Sequence, residues 1–509
     1  MAPIAIVGLF DGRCKTILRG KRARPPDVPA YASNKRGGAL VDVVVIGGGL
    51  AGLTAATRAS QLGAKVRLLE QGNEPEYPCN SRYAGGVMHL SYNDPERPVE
   101  ELVADLRSRC PEDIDFKLVE KVARNIARAL HWLRQNADAK FVKGGAKPYE
   151  RLVLAPPRPA QSKLKWPGRG PDVVLRNLTT RAKASGVEIT LGARVTGLRK
   201  TSAGFQVEAQ GERNTLTVDA ATVVIADGGF QANRELLEQN ITPDFAGLLQ
   251  RNAGTGLGTG IRLAESIGAR LTDLGAFYGH LVSLQALQNE ELWPYPYVDP
   301  LATAGMVVGP DGRRFVDESR GAIFVANAIA RQKNPASFFI IFDSATWNSS
   351  GRLSKIPPNP NLERYGAKIL SADTLSELAT RASIHGVSLQ ETVRERNAAI
   401  DAGNPELMSP PRTGDLSADP IKTPPFYAVP IVAGITHTMG GLMIDTNAQV
   451  QGEDGRPIEG LFAAGTTVGG LEGGENIFYL GGLCKALTLG LLAGENAAEF
   501  VTAARNAAQ

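Results

Sequence analysis

The sequence of 509 residues predicts an α/β protein built on a parallel sheet, and three observations carry this prediction. Residues 41–46 are a short β-branched run, which is typical of a strand buried on both faces. A glycine-rich turn, a helix rich in Ala and Leu and a second strand follow, giving a βαβ unit of about 30 residues. Glycine accounts for 56 of the 509 residues, which exceeds the usual share of about 7%, and many of these glycines lie in pairs and triplets. Clustered glycines indicate backbone that approaches a ligand, often a phosphate.

The turn of this βαβ unit has the spacing of a dinucleotide-binding fingerprint. Gly47, Gly49 and Gly52 form G-x-G-x-x-G between the strand and the helix, and Glu70 closes the second strand. In such a turn the first glycine permits the tight bend, the second lets backbone amides reach a pyrophosphate, and the third packs the helix on the strand. The carboxylate can accept hydrogen bonds from a ribose diol. The sequence therefore predicts a Rossmann-type dinucleotide site.

Further elements follow in order along the chain. They are predicted as helices over 99–109 and 116–135, a helix and strand over 171–190, hairpin strands at 205–210 and 214–218, a buried strand from 221 that ends in glycines, and a helix opening at 255–260 and running to 269. From about 274 to 436 glycines become sparse, and surface-like helices are predicted over 373–382 and 389–402. We interpret this stretch as an inserted second domain. Glycine-rich sequence then returns and leads into an apolar helix from 481 to 500.

The net charge of +4 is concentrated at the N-terminus. Residues 1–40 carry eight Lys or Arg against two Asp, and we predict a flexible basic extension there. The rest of the chain is nearly neutral and has no basic stripe, so a nucleic-acid partner is not expected. The longest uncharged run, residues 423–444, contains three prolines and a histidine, so no transmembrane segment is predicted.

The four cysteines are scattered and form no C-x-x-C pair: they are Cys14, Cys79, Cys110 and Cys484. This spacing argues against a disulfide scaffold, a zinc ribbon, an iron–sulfur centre and an attached c-type haem, so no metal site is expected. Scattered cysteines of this kind are typical of a reducing compartment, and we predict a cytoplasmic location.

Six ordered motifs between residues 41 and 500 resemble the flavoproteins of the fumarate reductase and succinate dehydrogenase superfamily. They are VIGGGLAG at 45–52, NSRYAGG at 80–86, ADGGF at 226–230, GRRFVDE at 312–318, HTMGG at 437–441 and GLFAAG at 460–465. The second and fourth motifs look most like the tricarballylate dehydrogenase branch. The resemblance implies an FAD-binding domain over 41–274 and 437–509, with an α+β capping domain over 275–436 that closes over the substrate.

The resemblance also implies which residues bind FAD. Covalent members of the superfamily carry a histidine shortly before the Ala-Gly-Gly stretch, and residues 79–84 contain none, so non-covalent FAD is expected. A thioether to Cys79 is the alternative. Arg82 is expected to bind either a phosphate of FAD or an acid group of the substrate, and we favour the FAD phosphate. The expected FAD-binding residues are Gly47, Gly49, Leu50, Ala51, Gly52, Glu70, Gln71, Asn80, Ser81, Arg82, Gly85, Gly86, Val195, Ala226, Asp227, Gly228, Gly465, Thr466, Gly482 and Leu483.

Two departures from the family pattern argue against fumarate as the substrate. Fumarate reductases place a proton-donating arginine in a Thr-Thr-Arg-Asp segment, whereas here Glu318 is followed by Ser-Arg-Gly, so that Arg320 is only an approximate substitute. The family also clamps a substrate carboxylate with the arginine of Asn-Arg-Leu-Gly-Gly, and this chain has Tyr479 at that position. A phenol cannot provide the bidentate, charged grip of a guanidinium.

The resemblance gives five candidate catalytic residues. His437 matches the substrate-facing histidine of the Thr-Met-Gly-Gly segment, and His280, beside Tyr278, lies close to the position of a second family histidine. Tyr479 resembles a tyrosine of the 3-ketosteroid dehydrogenases, where tyrosines polarise a ketone and remove a proton. A phenol with an ordinary pKa of about 10 suits an acid, or a base where its surroundings favour phenolate. Arg320 completes the set as a residue of the capping domain.

The resulting prediction is an FAD-dependent oxidoreductase that moves hydride between flavin N5 and a C–C bond beside a carbonyl or carboxylate, in the dehydrogenase direction. Its partners would be a small-molecule substrate and an unidentified electron acceptor. One alternative is a tricarballylate dehydrogenase-like enzyme, with Arg251, Arg313, Arg314 and Arg320 available as anchors, although Arg313 and Arg314 lie in a predicted hairpin turn expected to face water. Another is an electron-transfer flavoprotein subunit of a larger complex.

Overall fold

A computed structural model describes residues 41–159, 161–212 and 214–507, and all structural statements concern these residues. The predicted basic extension over 1–40 lies outside them. Strands β1 to β16 are Val41–Ile46, Val66–Leu69, Phe141–Val142, Val153–Leu154, Glu188–Thr190, Arg194–Thr201, Gly204–Gln210, Thr215–Ile225, Leu248–Gln250, Phe277–Ser283, Met306–Val308, Phe338–Asp343, Leu370–Ala372, Phe426–Thr438, Gln449–Gln451 and Pro457–Ala463.

The α-helices are numbered in the same way. Helices α1 to α14 are Leu50–Gln61, Asn80–Tyr83, Val99–Arg109, Phe116–Ala137, Gly170–Ala184, Arg234–Asn240, Thr259–Glu265, Asp299–Ala304, Ala322–Ala330, Ser344–Asn348, Pro358–Arg364, Leu375–Ala382, Gly386–Asp401 and Gly482–Ala507. The helix predicted to run to residue 269 ends at Glu265, because Gly268 adopts a φ of +89° that an α-helix does not contain.

The first sheet is the parallel sheet that the βαβ unit predicts. Its main path runs β15-β16-β8-β1-β2-β5, and the neighbours from β16 to β5 are parallel. The β-branched run of β1 lies at the centre with five of its six residues buried. Its carboxyl end therefore delivers the glycine-rich turn to the edge of the sheet where ligands of doubly wound folds bind.

Strand β8 joins two regions that the sequence predicted as separate strands. Its first half pairs antiparallel with β7, while its second half pairs parallel with both β1 and β16. The prediction of a break near residue 219 was wrong, since one continuous strand of 11 residues, Thr215–Ile225, serves both neighbours. The β6-β7 hairpin is thereby attached to the start of β8, and the buried glycine-bearing end of β8 lies beside the β1–α1 turn.

The second sheet is organised around the 13-residue strand β14. The amino-terminal half of β14 pairs with β12 and β13, and its carboxyl-terminal half pairs with β10 and β9. Tyr278 of β10 lies opposite His437 of β14, next to a bulge between Tyr278 and Gly279. The predicted domain boundary at 436/437 falls inside β14, and the division of the chain into an FAD-binding and a capping domain stays a prediction.

Helices α1 and α14 pack closely against each other under the first sheet. A Cβ atom on Gly490 would lie 2.5 Å from the Ala51 carbonyl oxygen, and one on Gly494 would lie 2.5 Å from that of Ala55. Larger residues at either position of α14 would force the helices apart. This contact fixes the two helix N-termini, both of which open on the same cavity. In the described residues no helix combines the length and apolar character needed to cross a bilayer.

Candidate active site

A single cavity brings together most of the residues that the sequence predicts for FAD and catalysis. Its walls include four of the five candidate catalytic residues, Tyr278, His280, His437 and Tyr479. They also include eighteen of the twenty expected FAD-binding residues: Gly47, Gly49, Leu50, Ala51, Glu70, Gln71, Asn80, Ser81, Gly85, Gly86, Val195, Ala226, Asp227, Gly228, Gly465, Thr466, Gly482 and Leu483.

The structure places Gly52, Arg82 and Arg320 outside this lining. Gly52 packs the helix on the turn, because a Cβ there would meet the Gly47 carbonyl oxygen at 1.9 Å. Arg82 is fully buried in an ion pair with Asp172, which leaves its charge compensated away from the cavity. The FAD contact predicted for Arg82 stays a prediction, and the structure shows Arg82 paired with Asp172.

Arg320 is likewise turned away from the cavity. Its guanidinium donates to the Glu475 carbonyl oxygen at 2.9 Å and to the Asn476 side chain, and it lies 3.9 Å from the centroid of the Phe324 ring. Both hydrogen bonds come from Nη2 and tie the side chain to the loop before α14, and Arg320 is not among the residues that line the cavity. The catalytic role predicted for Arg320 thus has no support from its placement.

The N-terminus of α1 is the dinucleotide end of the cavity. Gly49 is its N-cap and makes no side-chain capping bond, while the Leu50 amide donates to the Ser81 hydroxyl at 3.1 Å. A Cβ on Gly49 would meet only the Ser81 hydroxyl, at 3.5 Å, so the missing side chain leaves a cradle that opens into the cavity. Gly47 has a φ of +97°, which favours glycine at the bend. Backbone amides at a helix N-terminus suit a pyrophosphate.

Glu70 lies at the same end with its carboxylate held by the backbone. Its two oxygens accept the amides of Gly48 and Gly72, each at 2.7 Å. Burial raises the pKa of Glu70 despite these hydrogen bonds. A carboxylate oxygen has a second lone pair, so the group can still accept from a diol. Across the cavity Asp227 has one oxygen bonded to the Gly260 amide and the other, Oδ1, buried without a partner. The orphaned Asp227 oxygen, the acceptor capacity of Glu70 and the cradle at Gly49 fit an FAD molecule.

The N-terminus of α14 is the other end of the cavity. Gly481 adopts a φ of +130°, and the amide of Gly482 donates to the Tyr479 hydroxyl oxygen at 3.0 Å. Glu472 holds this turn from beneath, since its Oε1 accepts the amides of Leu480 and Gly481, each at 3.1 Å. Lys485 forms a fully buried ion pair with Glu472. The turn that presents Tyr479 is therefore fixed by a buried charge pair, which sequence reasoning did not identify.

Tyr278, His280 and Asp299 form a hydrogen-bonded chain that ends in the cavity. The Tyr278 hydroxyl lies 3.0 Å from His280 Nε2, and His280 Nδ1 lies 2.6 Å from Asp299 Oδ2. The other Asp299 oxygen accepts the Leu281 amide at 2.8 Å, which anchors the carboxylate. Burial raises the pKa of Tyr278 and, against the pull of Asp299, lowers that of His280. The resting chain is thus a neutral phenol, a neutral imidazole and a carboxylate.

His437 projects from β14 beside these residues with an unsatisfied ring nitrogen. It is 6% exposed, and its Nε2 is buried with no hydrogen-bond partner among the described residues. Burial lowers its pKa to about 4, so the imidazole is neutral at physiological pH. The Tyr278 ring centroid lies 5.2 Å from that of His437. An unpaired buried nitrogen in a ligand cavity is available to a bound molecule.

Several aromatic residues of the cavity were missed by sequence reasoning. Tyr295 and Tyr297 come from the proline-rich segment after β10, and Tyr297 stacks on His280 with 3.9 Å between ring centroids. His89 also lines the cavity and packs edge-on against Tyr479, with 5.6 Å between ring centroids. Tyr92, behind the lining, packs edge-on against Tyr479 at 6.2 Å. The alternation Trp-Pro-Tyr-Pro-Tyr over 293–297 is the signal that was available in the sequence.

The four arginines considered as anchors for a polycarboxylate are dispersed. Only Arg251 lines the cavity. Arg313 is exposed, as expected for a turn residue. Arg314 is buried and donates to both carboxylate oxygens of Glu318, so the expectation that it faces water was wrong. The hairpin turn exposes one of the two neighbouring side chains and directs the other into the core.

Comparison with known proteins agrees with the cavity's chemistry. Residues 42–477 match the model of the FAD binding domain family. The chain belongs to this flavoprotein family. A curated relative, the probable fumarate reductase Ifc3 of Shewanella frigidimarina, is 28% identical over 474 residues, covering 90% of this chain and 74% of the relative. The protein is therefore an FAD-dependent oxidoreductase within the superfamily that the motifs indicated.

Solved structures give the same fold. The open conformation of a flavocytochrome c3 fumarate reductase is 26% identical, covers 91% of this chain and 79% of its own, and superposes with a TM-score of 0.63. A 3-ketosteroid Δ1-dehydrogenase from Sterolibacterium denitrificans covers 91% of this chain and 100% of its own with a TM-score of 0.69 at 19% identity. At that identity the second likeness concerns the fold alone. The predicted architecture, a Rossmann-type FAD-binding fold of α/β class, is confirmed.

Proposed function

We propose that this flavoprotein oxidises a C–C bond beside a carbonyl or carboxylate of a small molecule, as a dehydrogenase that uses Tyr278 and Tyr479. The observation that carries the proposal is their placement. The two phenol rings stack 3.9 Å apart, at the start of α14, in the cavity that also holds the dinucleotide cradle. FAD, when bound, supplies the hydride acceptor at N5.

Tyr278 is proposed as the group that takes the substrate proton. His280 Nε2 is positioned to accept the Tyr278 hydroxyl proton while the phenol oxygen removes a proton from the substrate carbon. The imidazolium formed in this step lies against Asp299, whose charge stabilises it and fixes the tautomer with hydrogen on Nδ1. The same chain running backwards returns a proton to carbon, so it serves either direction of the reaction.

Tyr479 is proposed to polarise the substrate oxygen. The Gly482 amide already donates to its hydroxyl oxygen, which leaves the phenolic hydrogen free to point at a ligand. Burial raises the pKa of Tyr479, so the phenol keeps its proton, and donation from the Gly482 amide offsets part of that rise by stabilising negative charge on the oxygen. His437, with its free Nε2, supplies a second polar contact in the same region. Together they can stabilise charge that develops on a carbonyl or carboxylate during proton removal.

Anaerobic spectroscopy of the FAD-loaded protein tests this proposal. Saturated ketones or acids should bleach the flavin absorbance, and an artificial acceptor should restore it. Acid precipitation followed by filtration should release the flavin if binding is non-covalent, as the absence of a family histidine at 79–84 predicts. FAD-loaded protein that exchanges electrons with no ketone, enone or carboxylic acid in either direction would overturn the proposal.

Other predictions stay open beside this one. The electron acceptor is unidentified, and the tricarballylate branch, which requires several cationic anchors, has Arg251 alone of its four candidates in the cavity wall. An electron-transfer subunit would show no turnover on its own with an artificial acceptor. A cytoplasmic location stays a prediction from the scattered cysteines.

A further inference from the structure

Two arginines of the cavity wall carry charges that no acid compensates. Arg158 and Arg251 are each 8% exposed, and neither forms an ion pair within the described part of the chain. Sequence reasoning did not identify Arg158, which lies in an irregular stretch between β4 and α5. A buried charge is normally paired, because removing it from water without a partner is unfavourable. Two unpaired guanidiniums in one cavity therefore indicate an anionic ligand.

Neutral oxygen atoms hold both guanidiniums in place. Arg158 donates to the carbonyl oxygens of Tyr83 and Ala84, the latter at 3.1 Å. Arg251 donates to the Thr436 hydroxyl at 3.0 Å and to the Pro294 carbonyl oxygen at 3.2 Å. The Nε atom of each arginine is buried with no partner in the described chain. The side chains are thus positioned by the protein while part of their donor capacity and their full charge stay unused.

The charges of Arg158 and Arg251 both act on the phenol of Tyr295. Burial would raise the pKa of this phenol, yet the charge of Arg158, a hydrogen bond with Tyr297 and the charges of Arg251 and Lys355 lower it. The Tyr295 and Tyr297 ring centroids are 4.7 Å apart, and the Arg251 guanidinium lies 5.0 Å from the Tyr297 ring. This is a positive region one aromatic ring away from His280 of the proton relay.

The acidic groups of the cavity are occupied elsewhere. Glu70 and Asp227 bind backbone amides at the dinucleotide end, and Asp299 is bonded to His280. A third arginine of the wall, Arg194, is exposed and follows Ala193, whose amide bonds to the Glu70 carbonyl oxygen, so it belongs to the dinucleotide end. Lys355 adds a further positive charge, since its Nζ donates to the Arg158 carbonyl oxygen at 3.1 Å. Around Tyr295, the positive charges of Arg158, Arg251 and Lys355 therefore outnumber the negative charge of Asp299.

We propose that Arg158 and Arg251 form an anion subsite for the carboxylate of a planar, unsaturated or aryl carboxylic acid. The wall of Tyr295, Tyr297 and Trp293 suits a flat π-system, and Trp293 Nε1 is a further buried donor without a partner in the described residues. This subsite provides the charged contact to a carboxylate that Tyr479 cannot provide. The inference depends on the proposed function only where it identifies the ligand as the substrate.

The test compares two ligands of one shape and different charge. Cinnamate and cinnamamide are titrated into the oxidised, FAD-loaded protein, and binding is followed by the perturbation of the flavin spectrum at one ionic strength. Wild type should bind cinnamate about 10-fold or more tightly than cinnamamide. Arg251→Met and Arg158→Met should weaken cinnamate about 30-fold while changing cinnamamide less than about 3-fold. The corresponding Lys variants should recover part of the loss, and Arg199→Met, on the exposed hairpin strand β6, should match wild type.

Three results would overturn the inference. The first is equal binding of the two ligands by wild type, and the second is an equal loss of both ligands in the Met variants. The third is loss of bound FAD, measured as the ratio of absorbance at 450 to 280 nm, with the preference for cinnamate intact once FAD is restored. That result would assign the arginines to the cofactor. Because the readout is binding, failure of the proposed redox function leaves this test unaffected.

Discussion

The hydroxyl oxygen of Tyr479 accepts the backbone amide of Gly482 at 3.0 Å, and the Tyr479 ring stacks on that of Tyr278 with 3.9 Å between centroids. One phenol belongs to the loop before α14, and the other to β10 of the second sheet. The contact thus joins a residue fixed by the N-terminus of a helix to one fixed by the Asp299–His280 pair. The group proposed to polarise the substrate oxygen and the group proposed to transfer the proton are thereby side by side.

Removal of the Tyr479 hydroxyl should impair turnover without loss of the cofactor. Tyr479→Phe keeps the ring and its stacking on Tyr278 but deletes the donor at the substrate oxygen, so kcat should fall about 10²- to 10³-fold. Steady-state rates with an artificial acceptor measure this, with FAD content determined in parallel. Tyr427→Phe is the matched control, since Tyr427 stacks on Phe342 in the second sheet outside the cavity. Equal rates for the two variants would remove Tyr479 from the mechanism.

Asp299→Asn should disable the proton relay while preserving its shape. The Asn carbonyl can still accept the Leu281 amide, but the amide group that replaces Oδ2 cannot accept a proton from His280 Nδ1. The imidazole then adopts the other tautomer, and Nε2 no longer accepts the Tyr278 proton. We expect kcat to fall about 10²- to 10⁴-fold with a small change in KM. Asp115→Asn, which retains a good N-cap for α4, should behave as wild type.

A kcat within about threefold of wild type in Asp299→Asn would contradict the relay. A proportional loss of FAD or of folded protein would indicate a structural effect instead. Near-ultraviolet circular dichroism and flavin absorbance of the same preparations separate these outcomes.

Lys485→Met should destabilise the protein through Glu472. Both side chains are fully buried, so the substitution leaves a carboxylate without its counter-ion beneath the Tyr479 turn. The free energy of unfolding should fall by about 3–5 kcal/mol, as for other broken buried ion pairs. In the double variant Glu472→Gln/Lys485→Met the loss should be smaller, because no buried charge is left and a Gln oxygen can still accept the Leu480 and Gly481 amides. Urea unfolding of the FAD-loaded proteins measures both, and a double variant less stable than Lys485→Met would contradict the argument.

Acidification should destabilise the fold through two buried histidines. Burial lowers the pKa of His437 and that of His89 to about 4, from an ordinary value of 6.5. Below pH 6.5 the unfolded chain binds protons that the folded protein does not bind until about pH 4, so stability falls as pH falls through this window. At pH 5 the loss is about 2 kcal/mol per histidine relative to pH 7.

The histidine contribution can be separated from other titrations by substitution. Unfolding is measured by urea at pH 7 and pH 5, and His437→Gln and His89→Gln should each reduce the difference between the two free energies. His131→Gln, at an exposed position of α4, should leave that difference unchanged. An identical pH dependence in all three variants would show that neither buried histidine is responsible.

The dinucleotide half of the cavity was predictable because its information is local. G-x-G-x-x-G, the strand before it and Glu70 lie within one βαβ unit, and backbone geometry alone places them at the carboxyl edge of a parallel sheet. The helices over 99–109 and 116–137 were likewise found from periodicity, with bounds within two residues of those observed. The predicted break within β8 was wrong because the two halves of this strand differ in sequence pattern. The first half is polar and pairs with the hairpin, and the second half is buried and pairs with the central strands, so they resemble separate strands.

The catalytic half depended on contacts between residues distant in sequence. The motifs predicted that Tyr479, His437 and Tyr278 belong to the active site. No local sequence pattern indicated that Asp299 would bond to His280 or that Glu472 would hold the turn of Tyr479. None indicated that Arg158 would line the cavity. The partners of Arg82 and Arg320 could not be predicted for the same reason, since an arginine's direction is decided by the groups that accept its hydrogen bonds or compensate its charge. Asp172 and the loop before α14 supply those partners. The sequence by itself determined the fold and the cofactor's cradle, and the tertiary structure decided which charged side chains face the ligand, because pairing of buried charge is a long-range property of the packed chain.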